Sequence, residues 1–226
     1  MKRVITVLLA VLLVLSLAAC GSGVETKKLA GTWTCTVDVT DRMNAAAEQA
    51  LGLSAADGTA QMPLQLVLTV TEDGAYTLRY DSDAVRTALD AYAAALHPAA
   101  VESVYAAAEE QGFSREEYDA AMEKAGITMD DMVAAIFAGV DEEELLSLLT
   151  GRSAAITGYC RAESGQLYLA DTAADLTETA DCLSYTLSDG TMTWTDAQGE
   201  LSSQLTEQEQ ELLRVPLTWT KQEESK

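Results

Sequence analysis

Few residues of the chain have side chains and neighbours suited to catalysis. There is one histidine, His97, among the 226 residues. It precedes Pro98. Since the residue before a proline avoids the α-helical region and proline suits the first position of a helix, we interpret the pair as a break between two helices. A histidine in that place does not suit a Ser–His or Cys–His arrangement or a histidine-based zinc site. We therefore predict no catalytic residue, and we expect the protein not to be an enzyme.

Acidic residues cluster at Asp130-Asp131 and from Asp141 to Glu144. A calcium loop would place its oxygen ligands at alternate positions around a glycine turn. These acids instead occupy the expected first turns of helices, where the helix dipole favours a carboxylate. Nothing among the 36 acids singles out a pair for glycoside hydrolysis. We predict no metal site and no cofactor.

The first of the four cysteines, Cys20, ends an N-terminal targeting segment. Lys2 and Arg3 precede an apolar run, Val4 to Leu17, which is shorter than the ~20 residues of a membrane span and has the length of a secretory signal. The sequence Leu17-Ala18-Ala19-Cys20 resembles the lipobox of bacterial lipoproteins, in which the cysteine is diacylated and the preceding bond is cut. The resemblance implies a signal peptide over 1–19, lipidation of Cys20 and an extracytoplasmic protein anchored to the cell membrane. The alternative is an ordinary signal peptide cleaved near Ala19.

The charge of the chain excludes one class of partner. It has 14 basic and 36 acidic residues and a net charge of −22, so nucleic-acid phosphates would repel it. Gly21-Ser22-Gly23 begins a short flexible tether, which we assign to residues 20–28. Because an anionic leaflet also repels an acidic body, we expect the body to stand off the membrane.

Alternating apolar residues predict strands at both ends of the mature chain. The first alternation runs from Trp33 to Val39, and Glu72-Asp73-Gly74 is a hairpin signal between two further strands. We count about eight strands, and consecutive strands with tight turns predict an antiparallel meander that closes into a barrel. The strands are predicted near residues 33–40, 64–70, 76–80, 156–162, 167–169, 183–187, 192–194 and 215–219.

The middle of the chain has a helical period instead. Residues 82–150 hold 15 acids and 3 bases, and Ser114, Thr128 and Asp141 each begin a capped helix after a glycine. A shorter helix is expected at 42–51, capped by Thr40 or Asp41. This helical insertion is interpreted either as a module that faces a protein partner or as a cap on the barrel mouth.

Four features in order resemble uncharacterised bacterial surface lipoproteins with a lipocalin-like domain. They are Gly31-Thr32-Trp33, the acidic hairpin at 71–78, the alanine-rich helical insertion and the segment 216–221. The resemblance implies an extracellular, membrane-anchored barrel. Together with the strand and helix patterns it predicts an α+β fold: an antiparallel lipocalin-like β-barrel of about eight strands over 29–221, with an α-helical insertion at 82–150. The charged tail at 222–226 is expected to be frayed. The resemblance implies no established activity. The two-disulfide pattern of secreted lipocalins is missing, so their ligand binding is not carried over.

The barrel interior is the candidate binding site. An eight-stranded barrel is about wide enough to be filled by its own side chains or to hold one small ligand. The inward residues that would contact an apolar ligand are Trp33, Tyr76, Tyr80, Tyr185, Trp194 and Trp219. Both interpretations stay open. We expect a lipid-anchored, non-enzymatic binding or structural module, and the alternative is a carrier of a small apolar ligand.

The remaining cysteines are Cys35, Cys160 and Cys182. Cys160 and Cys182 lie on strands that flank a third strand, so their Cα atoms would be ~9.5 Å apart, beyond the ~7 Å limit of a disulfide. We expect buried thiols.

Overall fold

The computed structural model describes residues 25–53, 60–137, 155–177, 181–198 and 213–223. Its eight strands form a closed barrel in chain order, and every strand pairing that the structure gives is antiparallel. This confirms the predicted eight-stranded antiparallel barrel with helices inserted after the third strand. The strands are β1 (Gly31–Asp38), β2 (Pro63–Val70), β3 (Ala75–Tyr80), β4 (Ile156–Glu163), β5 (Gln166–Ala170), β6 (Asp181–Ser188), β7 (Thr191–Gln198) and β8 (Leu217–Lys221).

The chain divides into two compact units. The barrel unit comprises Met1–Cys35, Leu66–Tyr80 and Ala154–Lys226, as far as these ranges are described. The helical unit comprises Thr36–Gln65 and Asp81–Ser153. Each unit has its own buried residues and is described by itself.

The barrel unit has its apolar side chains inside because alternate residues of each strand face the same side. Its largest side chains with less than 2 % exposure come from the N-terminal residues and from several strands: Leu29, Trp33, Leu66, Leu183, Met192 and Trp219. Cys160 on β4 and Leu183 on β6 are also inward, whereas Cys182, next to Leu183, is only partly buried. The inward faces therefore follow the predicted alternation.

Three tight hairpins lie at one end of the barrel, because consecutive strands of a meander reverse direction. They join β2 to β3 at residues 71–74, β4 to β5 at 164–165 and β6 to β7 at 189–190. Ser164-Gly165 and Asp189-Gly190 both have positive φ at their two residues, as a type I′ hairpin turn requires. We call this end, which also holds the start of β1 and the end of β8, the turn end.

Residues 25–29 form a helical turn before β1. Thr26 is 6 % exposed and Leu29 is 1 % exposed. The Thr26 hydroxyl accepts a hydrogen bond of 3.0 Å from the backbone N–H of Ala162. The prediction that the flexible tether extends to Lys28 is therefore wrong, because a strand N–H and a buried leucine hold this segment on the barrel.

The C-terminal residues also pair with the barrel beyond Lys221, where a frayed tail was predicted. Gln222 donates from its backbone N–H to the Thr32 carbonyl at 2.8 Å and from its side chain to the Thr34 hydroxyl at 2.7 Å. Residue 222 therefore extends the pairing of β8 with β1 and is not frayed. Residues 224–226 lie outside the described residues.

The helical unit contains α1 (Thr40–Leu51), α2 (Ser82–Glu110), α3 (Arg115–Ala125) and α4 (Met129–Phe137). Leu53, Ala100 and Val133 form a buried cluster in this unit, with Val101 and Met129 packed against it. In the described residues, no helix is both long enough and apolar enough to span a bilayer.

Helix α2 runs through Pro98 without a break, so the predicted division at His97 and Pro98 is wrong. A proline inside a helix removes one backbone hydrogen bond and costs ~3 kcal/mol. Here Pro98 is exposed, while Leu96 and Ala100 on either side of it are fully buried. Burial of this continuous apolar face offsets the cost of the proline.

The helix starts agree in part with the predicted caps. Ser114 and Glu117 form the expected reciprocal capping box at α3, and Thr128 and Asp131 exchange the same bonds before α4. At α1 the predicted cap is wrong: the helix begins at Thr40, its N-cap Val39 makes no side-chain bond, and the Asp38 carboxylate accepts from the Thr40 N–H at 2.9 Å. The Thr40 hydroxyl instead accepts from the Met62 N–H at 2.8 Å and so ties two segments of the unit. The predicted cap Asp141 lies outside the described residues.

Candidate functional site: the barrel interior

The barrel unit contains a partly open cavity of about 50 Å³. Its walls come from the N-terminal turn, from inward residues of β2, β3, β4, β5 and β7, and from Leu213. Nearly all of these side chains are aliphatic or aromatic; they include Leu29, Tyr76, Cys160, Leu167, Met192 and Trp194. The walls therefore match an apolar occupant.

The size of the cavity limits what could enter it. An engineered cavity of ~150 Å³ in another protein holds one benzene molecule. The cavity of about 50 Å³ in this barrel is a third of that volume and has room for only a few heavy atoms. An acyl chain does not fit in the described barrel without movement of its walls.

The structure brings only two of the six predicted ligand contacts to this cavity, Tyr76 and Trp194. The Trp219 ring is fully buried and packs on Trp194, with ring centroids 4.8 Å apart. Trp33 is also buried, but its indole N–H donates to the Leu29 carbonyl at 2.7 Å. These aromatic side chains fill the barrel.

The other two candidates are tyrosines outside the cavity lining. Tyr185 is 9 % exposed, and burial raises the pKa of its hydroxyl, with further contributions from the charges of Glu25 and Cys160. Tyr80 is half-buried at the end of β3. The alternation of the strands predicted that these residues point inward, but it contains no information on which of them border empty space.

Five buried polar side-chain atoms lack a hydrogen-bond partner among the described residues. Two of them are the indole nitrogens of Trp194 and Trp219, and the others belong to Glu25, Arg161 and Gln166. A buried N–H without a hydrogen bond costs ~1–3 kcal/mol. The Trp194 ring borders the cavity, so this N–H is the polar group that a small occupant with an acceptor atom would find there.

The cysteines of the described residues form no disulfide. Burial raises the pKa of Cys160 to about 12 and also raises the pKa of Cys35. Both thiols are therefore protonated at neutral pH, which is the unreactive form. Cys182 is only partly buried, on the opposite face of the sheet from Cys160.

Acidic residues of the helical unit form ion pairs and hydrogen bonds between its helices. Arg115 bonds to Glu102 with 2.7 and 3.0 Å contacts and to Glu109 at 3.3 Å, and it lies over the Tyr105 ring. The bond from Arg115 lowers the pKa of Glu102. These contacts hold α3 against α2.

His97 also lies in the helical unit. Its Nε2 atom is 3.0 Å from Oδ1 of Asp130 on α4. Within the described ranges, no group of three His, Cys, Asp or Glu side chains is arranged to hold a metal ion. This geometry indicates that His97 links α2 to α4 through its contact with Asp130.

The capping box is expected to make α3 sensitive to acid. Glu117 accepts bonds of 2.9 Å from the backbone N–H and the hydroxyl of Ser114, and these bonds lower the pKa of the Glu117 carboxyl from its ordinary 4.5. Because the pKa is lower in the folded protein, the bonds stabilise α3 fully above the unfolded value, and this contribution is lost as the pH falls through the folded value.

The measurement is helical circular dichroism between pH 7 and pH 3. Glu117→Gln is the matched control, because its amide keeps an acceptor and does not titrate. We expect the wild type to lose more helical signal than Glu117→Gln on acidification. Equal losses in the two proteins would show that the carboxylate contributes nothing to the cap.

None of the protein-family models, curated proteins or solved structures compared with this chain matches it. The resemblance to surface lipoproteins with a lipocalin-like domain therefore stays an expectation from the residues.

Proposed function

We propose that this chain is a bacterial surface lipoprotein, held outside the cytoplasm by a diacylglyceryl group on Cys20. The observation that carries the proposal is the position of the first described residues, which are already part of the fold. The described fold begins at residue 25 and its first strand at Gly31, so the chain enters the barrel only a few residues after the lipobox cysteine. A lipid-anchored domain needs this arrangement of cysteine, short linker and folded body.

In this proposal the barrel is a structural scaffold without enzymatic activity. Its described interior is filled by large side chains, and the remaining cavity of about 50 Å³ is apolar. Ligand pockets usually have ~300–1,000 Å³ and a few polar groups that orient the ligand. The cavity has neither the volume nor the polar groups of such a pocket.

The helical insertion is proposed as the part that meets a protein partner. Two large apolar side chains are exposed there, Phe113 at 48 % and Ile127 at 42 %. They stand in a segment that has 15 acids and 3 bases over residues 82–150. A surface with apolar anchors among acids suits a partner with basic and apolar side chains.

A second candidate function is carriage of a small apolar ligand. The cavity itself and the unpartnered N–H of Trp194 favour it. The volume restricts such a ligand to a few heavy atoms with one acceptor. A fatty acid or a larger lipid does not meet this restriction.

A binding experiment separates the two functions. The soluble Cys20→Ala protein is titrated with acetone, a small ligand with one acceptor atom, and with benzene. We expect saturable binding of neither by the unsubstituted barrel. The matched variant Leu167→Ala enlarges the cavity, at a cost of about 2–5 kcal/mol in the free energy of unfolding, and we expect it to gain benzene binding. Saturable binding of acetone by the unsubstituted barrel would contradict the filled scaffold and favour the carrier.

A further inference from the structure

The N-terminal turn, residues 25–29, lies on the turn end of the barrel. The Thr26 hydroxyl accepts from the Ala162 N–H next to the hairpin between β4 and β5. The Thr26 methyl group is 3.3 Å from where a Cβ atom on Gly74 would be, in the hairpin between β2 and β3. The turn therefore lies beside two of the three hairpins of this end.

The same turn is also fixed in the interior. Leu29 is 1 % exposed and borders the cavity. Its carbonyl accepts from the indole N–H of Trp33 at 2.7 Å. Moving residues 25–29 away from this end of the barrel would expose Leu29 to water and would break both hydrogen bonds.

The length of the linker sets where the lipid anchor can be. From Cys20 to Glu25 there are five residue steps of at most ~3.6 Å each, about 18 Å in all. A strand of eight residues such as β2 is ~26 Å long, or ~20 Å along the axis of a barrel with tilted strands. Even when the linker is fully extended along the wall, Cys20 stays short of the opposite end of the barrel.

The turn end also carries less excess negative charge than the rest of the chain, so it suits a lipid surface better. Residues 25–31, 71–75, 161–166, 188–191 and 220–223 together hold six acids and four bases. The helical insertion has 15 acids and 3 bases over residues 82–150. Lys27 and Lys28 of the turn are both exposed, and they closely follow the linker. Anionic headgroups attract such basic residues close to an anchor.

We propose that the turn end is the face of the barrel that lies against the phospholipid headgroups. This inference rests on the proposed lipid anchor at Cys20. It adds an orientation: the anchor, the fixed turn at 25–29 and the three hairpins are on the membrane side, and the end of the barrel where β5 finishes and β6 begins points away from the bilayer. The partner of the turn end is the phospholipid headgroup surface of the bilayer that holds the anchor, and the short linker and the fixed turn, not a net attraction of charge, place it there.

Fluorescence quenching by lipid headgroups tests the orientation. The full-length lipidated protein is placed in phosphatidylcholine–phosphatidylglycerol vesicles that contain a headgroup-linked quencher. Cys182→Ser removes the partly buried thiol, while Cys35 and Cys160 are buried. A dye is attached to Asp189→Cys at the turn end or to Asp171→Cys after β5, two exposed sites where the substitution removes the same charge.

We expect at least threefold stronger quenching at position 189 than at position 171. Equal quenching, or stronger quenching at position 171, in a sample whose intact mass includes the diacylglyceryl group would overturn the orientation and leave the anchor standing. A sample without that mass would overturn both the anchor and the orientation. The two failures are therefore distinguishable in one preparation.

Discussion

Replacing Cys20 with alanine is expected to move the protein from the membrane fraction to the soluble fraction. Each buried CH₂ of an acyl chain contributes ~0.8 kcal/mol to membrane binding, and two chains anchor a protein stably where one does not. Without the thiol no chain can be attached, and the acidic body has no attraction of its own strong enough to hold it on an anionic leaflet. We expect the ratio of membrane-bound to soluble protein to fall by on the order of 100-fold.

Cell fractionation with a high-salt wash measures this ratio. Cys182→Ala is the matched control, because it removes a cysteine outside the lipobox and should leave the protein in the membrane fraction. Retention of Cys20→Ala in the washed membranes would mean that something other than the proposed lipid holds the protein. A soluble wild type would instead support the ordinary signal peptide cleaved near Ala19.

Gly74→Ala is expected to destabilise the barrel strongly, because both the backbone and the space at this turn exclude a side chain. Gly74 has a φ of +88°, and a Cβ atom there would be within van der Waals overlap of the Cys160 carbonyl oxygen. The backbone conformation costs ~1–2 kcal/mol for a residue with a side chain, and the overlap forces a shift of β4 that costs ~1–3 kcal/mol more. We expect a loss of about 3 kcal/mol in the free energy of unfolding.

Gly165→Ala is the matched control for this substitution. Gly165 also has a positive φ, +76°, but the nearest atom to its Cβ position is 3.6 Å away. Gly165→Ala should lower the free energy of unfolding only by the cost of the backbone conformation, ~1–2 kcal/mol. Urea unfolding of the soluble form measures both variants, with fluorescence of Trp33, Trp194 and Trp219 as the signal. Equal destabilisation by the two substitutions would show that β4 shifts to accommodate the methyl group at residue 74 without loss of free energy.

The strands were predictable because burial of one face imposes a period of two on the sequence. The run from Trp33 to Val37 shows it, and the structure buries Trp33, Cys35 and Val37 in turn. Capping boxes were predictable for a similar reason: the bonds between Ser114 and Glu117 join neighbours in the sequence.

Features that depend on contacts between distant residues were not predictable. Helix α2 continues through Pro98 because the burial of Leu96 and Ala100 outweighs the tendency of proline to break a helix. Residues 25–29 follow a linker rich in glycine and serine, and contacts such as the bond from the Ala162 N–H to Thr26 and the burial of Leu29 show that they are folded. A segment of five residues is too short to show a period.

The candidate site was predictable in its location and not in its volume. Alternation placed Tyr76 and Trp194 inside the barrel, where both border the cavity. Whether the interior is filled depends on how side chains such as Trp219 pack on their neighbours, and a sequence pattern does not contain that packing.

Native mass spectrometry of the protein purified from its own membrane tests the central proposal most directly, with the soluble Cys20→Ala form measured beside it. The proposal predicts a wild-type chain that begins at Cys20 and carries the mass of a diacylglyceryl group, and a soluble form that carries no additional mass. A wild-type chain without the lipid mass would contradict the anchor. A soluble form with an extra mass that denaturation releases would contradict the filled barrel, and that mass would give the class of the ligand.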